Sequence, residues 1–174
     1  MKKSQINPLP KYFDRYINLI EDVELDEAMG NSLGELANFD WDKCRQLGLN
    51  AYAPGKWTAH DILQHLLDWE RIMTYRALGF ARGAFNKAPA HDENLLAKNA
   101  RASVRSIADL TAEMTALRHS TRLFFGSLND SQLQQSGICW ESEMSALALG
   151  FTILGHQRHH FVILQERYFP LLQS

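Results

Sequence analysis

Gly155-His156-Gln157-Arg158-His159-His160 lies inside a long apolar segment, residues 144–169, whose spacing is that of a buried helix. Three of the chain's seven histidines fall within these six residues. On a helix, side chains four apart point almost the same way. With His156 at zero on a helical wheel, His160 lies at about 40° and His159 at about −60°. Leu149, Ile153 and Ile163 share the arc of His156 and His160, so this pair faces inward and His159 sits at the rim. Such a pair presents two imidazoles to one ion, or else consists of core histidines bonded to their surroundings.

A third histidine sits on a second amphipathic stretch. Thr58 reads as an N-cap with Asp61 at the third helical position, a capping-box pattern that sets a carboxylate in the positive first turn. The helix it opens runs to about Arg82. Ile62, His65, Trp69, Ile72 and Phe80 fall within an arc of roughly 80°. His65 therefore faces the core. Two ligands from one helix and one from a neighbour leave a tetrahedral ion one open position, the usual form of a catalytic zinc-type site. Asp68 lies at about −60° from His65, within reach of a non-ligating ring nitrogen, as a partner that would orient the ring. Asp61 lies close by but already has a capping role.

The remaining histidines read as structural or surface groups. His60 is in the first turn of its helix and faces away from His65, His91 is in a loop, and His119 falls between Arg118 and Ser120 on a solvent face. Trp57, just before the cap, is placed to shape a pocket mouth. Arg71, Arg76 and Arg82 read as solvated, except that Arg76 lies on the His65 stripe and could meet an anionic ligand.

Outward from these two helices, glycines and prolines cluster between further helical stretches. One runs from about Leu25 to Asn38, with Leu25, Met29, Leu33 and Leu36 in phase. A shorter stretch lies near Glu93 to Ala102. Ser106 with Asp109 caps a third long helix that ends near Ser127. Residues 129–141 read as a loop, and Ser142 or Glu143 as the start of the last helix, which stops before Pro170. Residues 1–20 read as an N-terminal arm or short helix. No β-alternating run or internal repeat stands out. Four long helices in 174 residues predict an all-α four-helix bundle in one domain, 1–174.

Composition excludes several classes. The net charge of −2 gives no basic footprint for nucleic acid. Neither a signal peptide nor a membrane-spanning run is legible. Two cysteines, Cys44 and Cys139, stand far apart and in no metal spacing, which points to a reducing, cytoplasmic setting. There is no nucleophilic-serine elbow, phosphate loop or paired-cysteine motif. Gln157 follows His156, so the glutamate of the HExxH protease motif is missing.

The stretches Tyr52-Ala53-Pro54-Gly55-Lys56-Trp57-Thr58, Ile62-Leu63-Gln64-His65-Leu66-Leu67-Asp68-Trp69-Glu70-Arg71 and Tyr75-Arg76-Ala77-Leu78 together resemble the central signature of DinB-like proteins. Gly155-His156-Gln157-Arg158-His159-His160 with Ile163-Leu164 is similar to their last-helix signature, and Tyr12-Phe13-Asp14-Arg15-Tyr16-Ile17 to a lead-in found in one branch. The resemblance covers roughly residues 12–168. It implies an up-down-down-up four-helix bundle, usually a homodimer, holding nickel or zinc through three histidines that correspond to His65, His156 and His160. The superfamily includes bacillithiol and mycothiol S-transferases and a maleylpyruvate isomerase. The expected function is a divalent-metal-dependent enzyme acting on a small molecule, as a hydrolase or a low-molecular-weight-thiol S-transferase. The alternative is a non-catalytic, stress-related metal- or ligand-binding bundle.

Overall fold

Thr58 opens the central helix as its spacing predicts. Its hydroxyl accepts from the Asp61 backbone N–H at 3.2 Å, and the Asp61 carboxylate accepts from the Thr58 N–H at 2.9 Å. A cap of this kind stabilises a helix by about 1 kcal/mol. In the computed structural model, which describes residues 1–173, this helix spans Ala59–Ala81.

In chain order the helices are α1 (Asp14–Ile17), α2 (Leu25–Asn38), α3 (Trp41–Leu47), α4 (Ala59–Ala81), α5 (Glu93–Ala100), α6 (Ile107–Gly126), α7 (Asp130–Gln134) and α8 (Ala146–Ile163). The hairpin β1 (Ser136–Cys139) and β2 (Ser142–Ser145) precedes α8. After α8 the chain continues as one π-helical turn, Leu164–Tyr168, and a 3₁₀ turn, Phe169–Gln173.

The long helices α2, α4, α6 and α8 form the bundle. α4 packs against α8 and α6, and α2 packs against α6 and α8, so the successive helices α2 and α4 lie on a diagonal. α4 with α8 is the most extensive pairing, and these are the helices that carry the three inward histidines. Every residue of α8 from Ala146 to Gln157 is buried. A helix apolar all round belongs at the centre of a core, so α1 and β2 cover the flanks of α8 that the other long helices leave open.

Two elements correct the expected layout. α3 forms between the two expected helices, where the sequence shows no helical pattern, with Asp40 Oδ1 accepting from the Lys43 N–H at 3.1 Å. Seven residues are too few for periodicity to show. The last helix starts at Ala146 instead of Ser142 or Glu143, with Ser145 Oγ accepting from the Ala148 N–H at 3.1 Å. The residues before it pair as an antiparallel ladder, Ser136 opposite Ser145 and Cys139 opposite Ser142. Its alternation is invisible in the sequence because the buried positions of β1 are Gly137 and Cys139, while Ile138 faces outward. Gly137 is required there. A Cβ would stand 2.2 Å from the Phe80 ring.

The N-terminal residues form a short helix and not a loose arm. Ile17 of α1 is fully buried against α8. Gly155 permits this approach, since a Cβ at that position would lie 1.9 Å from the Tyr16 carbonyl oxygen. The glycine beside His156 thus lets the backbone of α1 lie directly on the helix that bears the histidines. Among the described residues no helix is long and apolar enough to cross a membrane.

Candidate metal centre

His65 from α4 meets His156 and His160 from α8. The Nε2 atoms of His65 and His156 are 3.2 Å apart, and those of His160 and His156 are 3.1 Å apart. All three candidate ligand atoms lie within 4.8 Å of one another. In tetrahedral coordination with metal–nitrogen bonds of about 2.05 Å, neighbouring nitrogens stand about 3.3 Å apart. The observed spacing matches this.

The arrangement is unsatisfied as it stands. A neutral ring nitrogen carries either one proton or one lone pair. His156 Nε2 can therefore complete a hydrogen bond with His65 or with His160, but not with both. A cation between the three nitrogens would satisfy every lone pair at once. Titration points the same way. Burial, then the neighbouring His91, holds His65 down to about 4. Burial, then His160 and His65, holds His156 well below the ordinary histidine value, and burial, then His65 and His159, does the same for His160. All three are neutral at pH 7, and the neutral imidazole is the ligating form.

Aromatic rings fix the imidazoles. Trp69 lies over His156 with centroids 3.9 Å apart and planes 31° from parallel. Trp57 packs on His65 at 4.7 Å, and its carbonyl accepts from the Tyr168 hydroxyl at 2.5 Å. Tyr16 of α1 meets His156 and His159 edge-on at 5.2 and 5.3 Å. His159 is half-buried at the flank, as its wheel angle predicts, and is not part of the converging group. Among the described residues no fourth histidine, cysteine or carboxylate joins the three.

The centre lies between two hollows. A cleft of about 910 Å³ is lined by Tyr12, Phe13 and Tyr16, by Trp69, His91 and Trp140, and by His156 at its floor. A smaller hollow of about 270 Å³ is lined by Tyr52, Trp57, Tyr168 and His160. Trp57 thus stands at a mouth, as its place before the cap suggested. Concave apolar spaces of this size with a few polar groups are the usual form of small-molecule sites.

Several residues take other roles than expected. Asp68 accepts from Gln64 Nε2 at 2.9 Å, and no bond joins it to the three imidazoles. Its flank angle carries it toward Arg71 of the same helix, which in turn pairs with Glu113 of α6. Arg76 is fully buried and not solvated. It donates to the Pro89 carbonyl at 2.7 Å and approaches His91 Nδ1 at 3.2 Å. His91, read as a loop histidine of structural or surface kind, lines the cleft. Nothing in its local sequence signals this, because the loop is placed by pairing with the hairpin, where the Ile138 N–H donates to the Asn86 carbonyl at 2.8 Å. Arg118, assigned to a solvent face beside His119, is instead 2% exposed. His119 is on the surface as expected, and His60 is buried.

Comparison with known proteins agrees with this architecture. The structure of YfiT from Bacillus subtilis, described as a probable metal-dependent hydrolase with an unusual four-helix bundle topology, superposes with a TM-score of 0.69. The match covers 91% of this chain and 87% of that one, at 16% sequence identity, and so speaks for the shared fold. No curated protein sequence matches the chain. The DinB superfamily pattern matches residues 13–164, a span that takes in α1, the four bundle helices and all three converging histidines. This chain belongs to the DinB superfamily.

Proposed function

We propose that the chain is a divalent-metal-dependent enzyme that hydrolyses a small molecule bound in the aromatic cleft. His65, His156 and His160 hold the ion, zinc or nickel, through their Nε2 atoms. The observation that carries this reading is the meeting of three neutral imidazole nitrogens at 3.1 and 3.2 Å, of which only one pair at a time can complete a hydrogen bond. An ion there supplies Lewis acidity and lowers the pKa of coordinated water, to about 7 in a favourable zinc site.

The chain's own residues do the rest. With three protein ligands and no fourth among the described residues, a position stays open for water or substrate. Trp69 and Tyr16 shield His156, and Trp57 shields His65, which keeps both rings neutral and oriented. The cleft walls, Phe13, Tyr16, Trp69 and Trp140, bind a planar apolar body. The description of YfiT as a probable metal-dependent hydrolase supports the choice of reaction.

The open position would equally hold the thiolate of a low-molecular-weight thiol for S-transfer. A specific feature limits that version. Burial pushes the Cys44 thiol up to about 12 and the Cys139 thiol up to about 11, so the nucleophilic sulfur must arrive with the substrate.

Metal analysis of the purified protein beside His65→Ala and His156→Ala tests the site. The expected result is about one ion per chain in the parent and loss from both variants. Full metal retention by both would overturn it. Hydrolysis of an activated ester and S-transfer from a small thiol to an electrophilic dye, each with and without chelator, separate the two chemistries. Turnover that persists after complete metal removal rejects both.

A further inference from the structure

Arg76 is a buried cation without a carboxylate partner. It is 1% exposed, and no salt bridge reaches it among the described residues. One terminal nitrogen, Nη2, serves both the Pro89 carbonyl at 2.7 Å and His91 Nδ1 at 3.2 Å. The guanidinium lies over the Trp140 ring, 4.2 Å from its centroid. Trp140 in turn sits in the two-residue hairpin turn with φ 53°, the left-handed region that side chains as large as indole rarely occupy. A position of this kind persists where surrounding contacts over-determine it.

These contacts settle the state of His91. A guanidinium has donors only and stays protonated. His91 Nδ1 must therefore be the acceptor, and the ring proton must reside on Nε2. No protein acceptor for that N–H occurs among the described residues, and the ring lines the cleft whose floor is His156. The rim charges, Lys87, Asp92, Glu93 and Glu141, are exposed, and Asp92 is engaged as the cap of α5.

We propose that His91, locked by Arg76 as the Nε2–H tautomer, is the hydrogen-bond donor that receives the carbonyl oxygen of a planar aromatic acyl compound in this cleft. The inference rests on the reading of the cleft as the substrate site and names its substrate class. The donor is set before substrate arrives, so it needs no reorganisation as negative charge grows on that oxygen. The proton stays on Nε2 throughout. Phe13, Trp69 and Trp140 supply the flat walls that an aryl group needs.

The test is histidine-ring ¹H–¹⁵N NMR of the full chain, metal-free and zinc-loaded, with benzamide as probe. The expected spectrum places the His91 proton on Nε2, and benzamide moves that resonance. His91→Ala weakens benzamide binding about three- to tenfold, the range of one neutral hydrogen bond. His91→Gln, which keeps an N–H donor, restores part of the loss. Arg76→Met releases the tautomer preference, and if that variant does not fold, the parent spectrum and the His91 variants decide. A proton on Nδ1, an Nε2 signal unmoved by benzamide, unchanged affinity in His91→Ala, or no binding at all would each overturn the proposal. The metal-free measurements stand apart from metal analysis, so failure of the three-histidine site and failure of the His91 donor are read separately.

Discussion

The bundle contains two buried polar clusters, one joining α2, α4 and α6 around Arg118 and one joining α4 and α8 around His156, and they differ in one respect. Around Arg118 everything is matched. Its Nε and Nη2 each donate to a Glu70 carboxylate oxygen at 2.9 Å, and its Nη1 donates to Ser32 Oγ. Around His156 the matching is incomplete. Three like groups turn their nitrogens on one another, and His160 Nδ1 has no protein partner. His156 and Gln157 border the same small cavity as Glu70 and Arg118, so the two clusters experience the same core. A buried network that satisfies itself holds structure together, whereas one that fails to do so waits for a ligand.

The sharpest test of this contrast is removal of one partner from each cluster. Arg118→Ala leaves the Glu70 carboxylate buried and unpaired and should cost about 3–5 kcal/mol in chemical denaturation. Joint replacement by Arg118→Met and Glu70→Leu should recover much of that. His156→Ala in metal-free protein should cost clearly less than Arg118→Ala, because it removes a conflict along with the contacts. Equal losses would break the distinction.

Metal should then reverse the order of the clusters. Zinc at about a thousand times its Kd adds about 4 kcal/mol to the parent by binding only the folded chain. The same addition should do nothing for His156→Ala, as denaturation with and without chelator would show.

Gly155→Ala disturbs only the unsatisfied cluster. Its Cβ would meet the Tyr16 carbonyl and push α1 away from His156. The expected cost is about 1–3 kcal/mol, the range for overpacking, with weaker metal binding and no change around Arg118. An undiminished melting temperature would show that α1 does not bear on the centre.

The clusters also differ in their response to pH. His65 titrates at about 4 in the folded chain against 6.5 as the ordinary value, and His156 and His160 are lowered as well. Between these values the unfolded chain binds more protons than the folded one. Metal-free stability therefore falls as pH drops from about 6.5 toward 4, by about 1.4 kcal/mol per unit for each such group. His65→Ala should flatten the slope between pH 5 and 6.5, above the range where carboxylates titrate.

α2, α4 and α6 were legible because their signals are local. Apolar residues at three and four and the caps at Thr58 and Ser106 act within a turn or two of the chain. The likeness of direction between His156 and His160 follows from the same geometry. β1 and β2 were not legible, since Gly137, Cys139 and an outward Ile138 hide the alternation. Nor was the burial of Arg118, whose partner Glu70 lies 48 residues away, or of Arg76, whose partners belong to a loop held by the hairpin.

Sequence alone therefore determined the four long helices, where α2, α4 and α6 begin, and that two imidazoles of one helix share a face. Only tertiary packing brought His65 to that face across 91 residues, set Arg76 behind His91, and matched one cluster while leaving the other open. Helix periodicity is a property of neighbouring residues. The meeting of distant side chains depends on how whole helices settle against each other, and no local pattern encodes that.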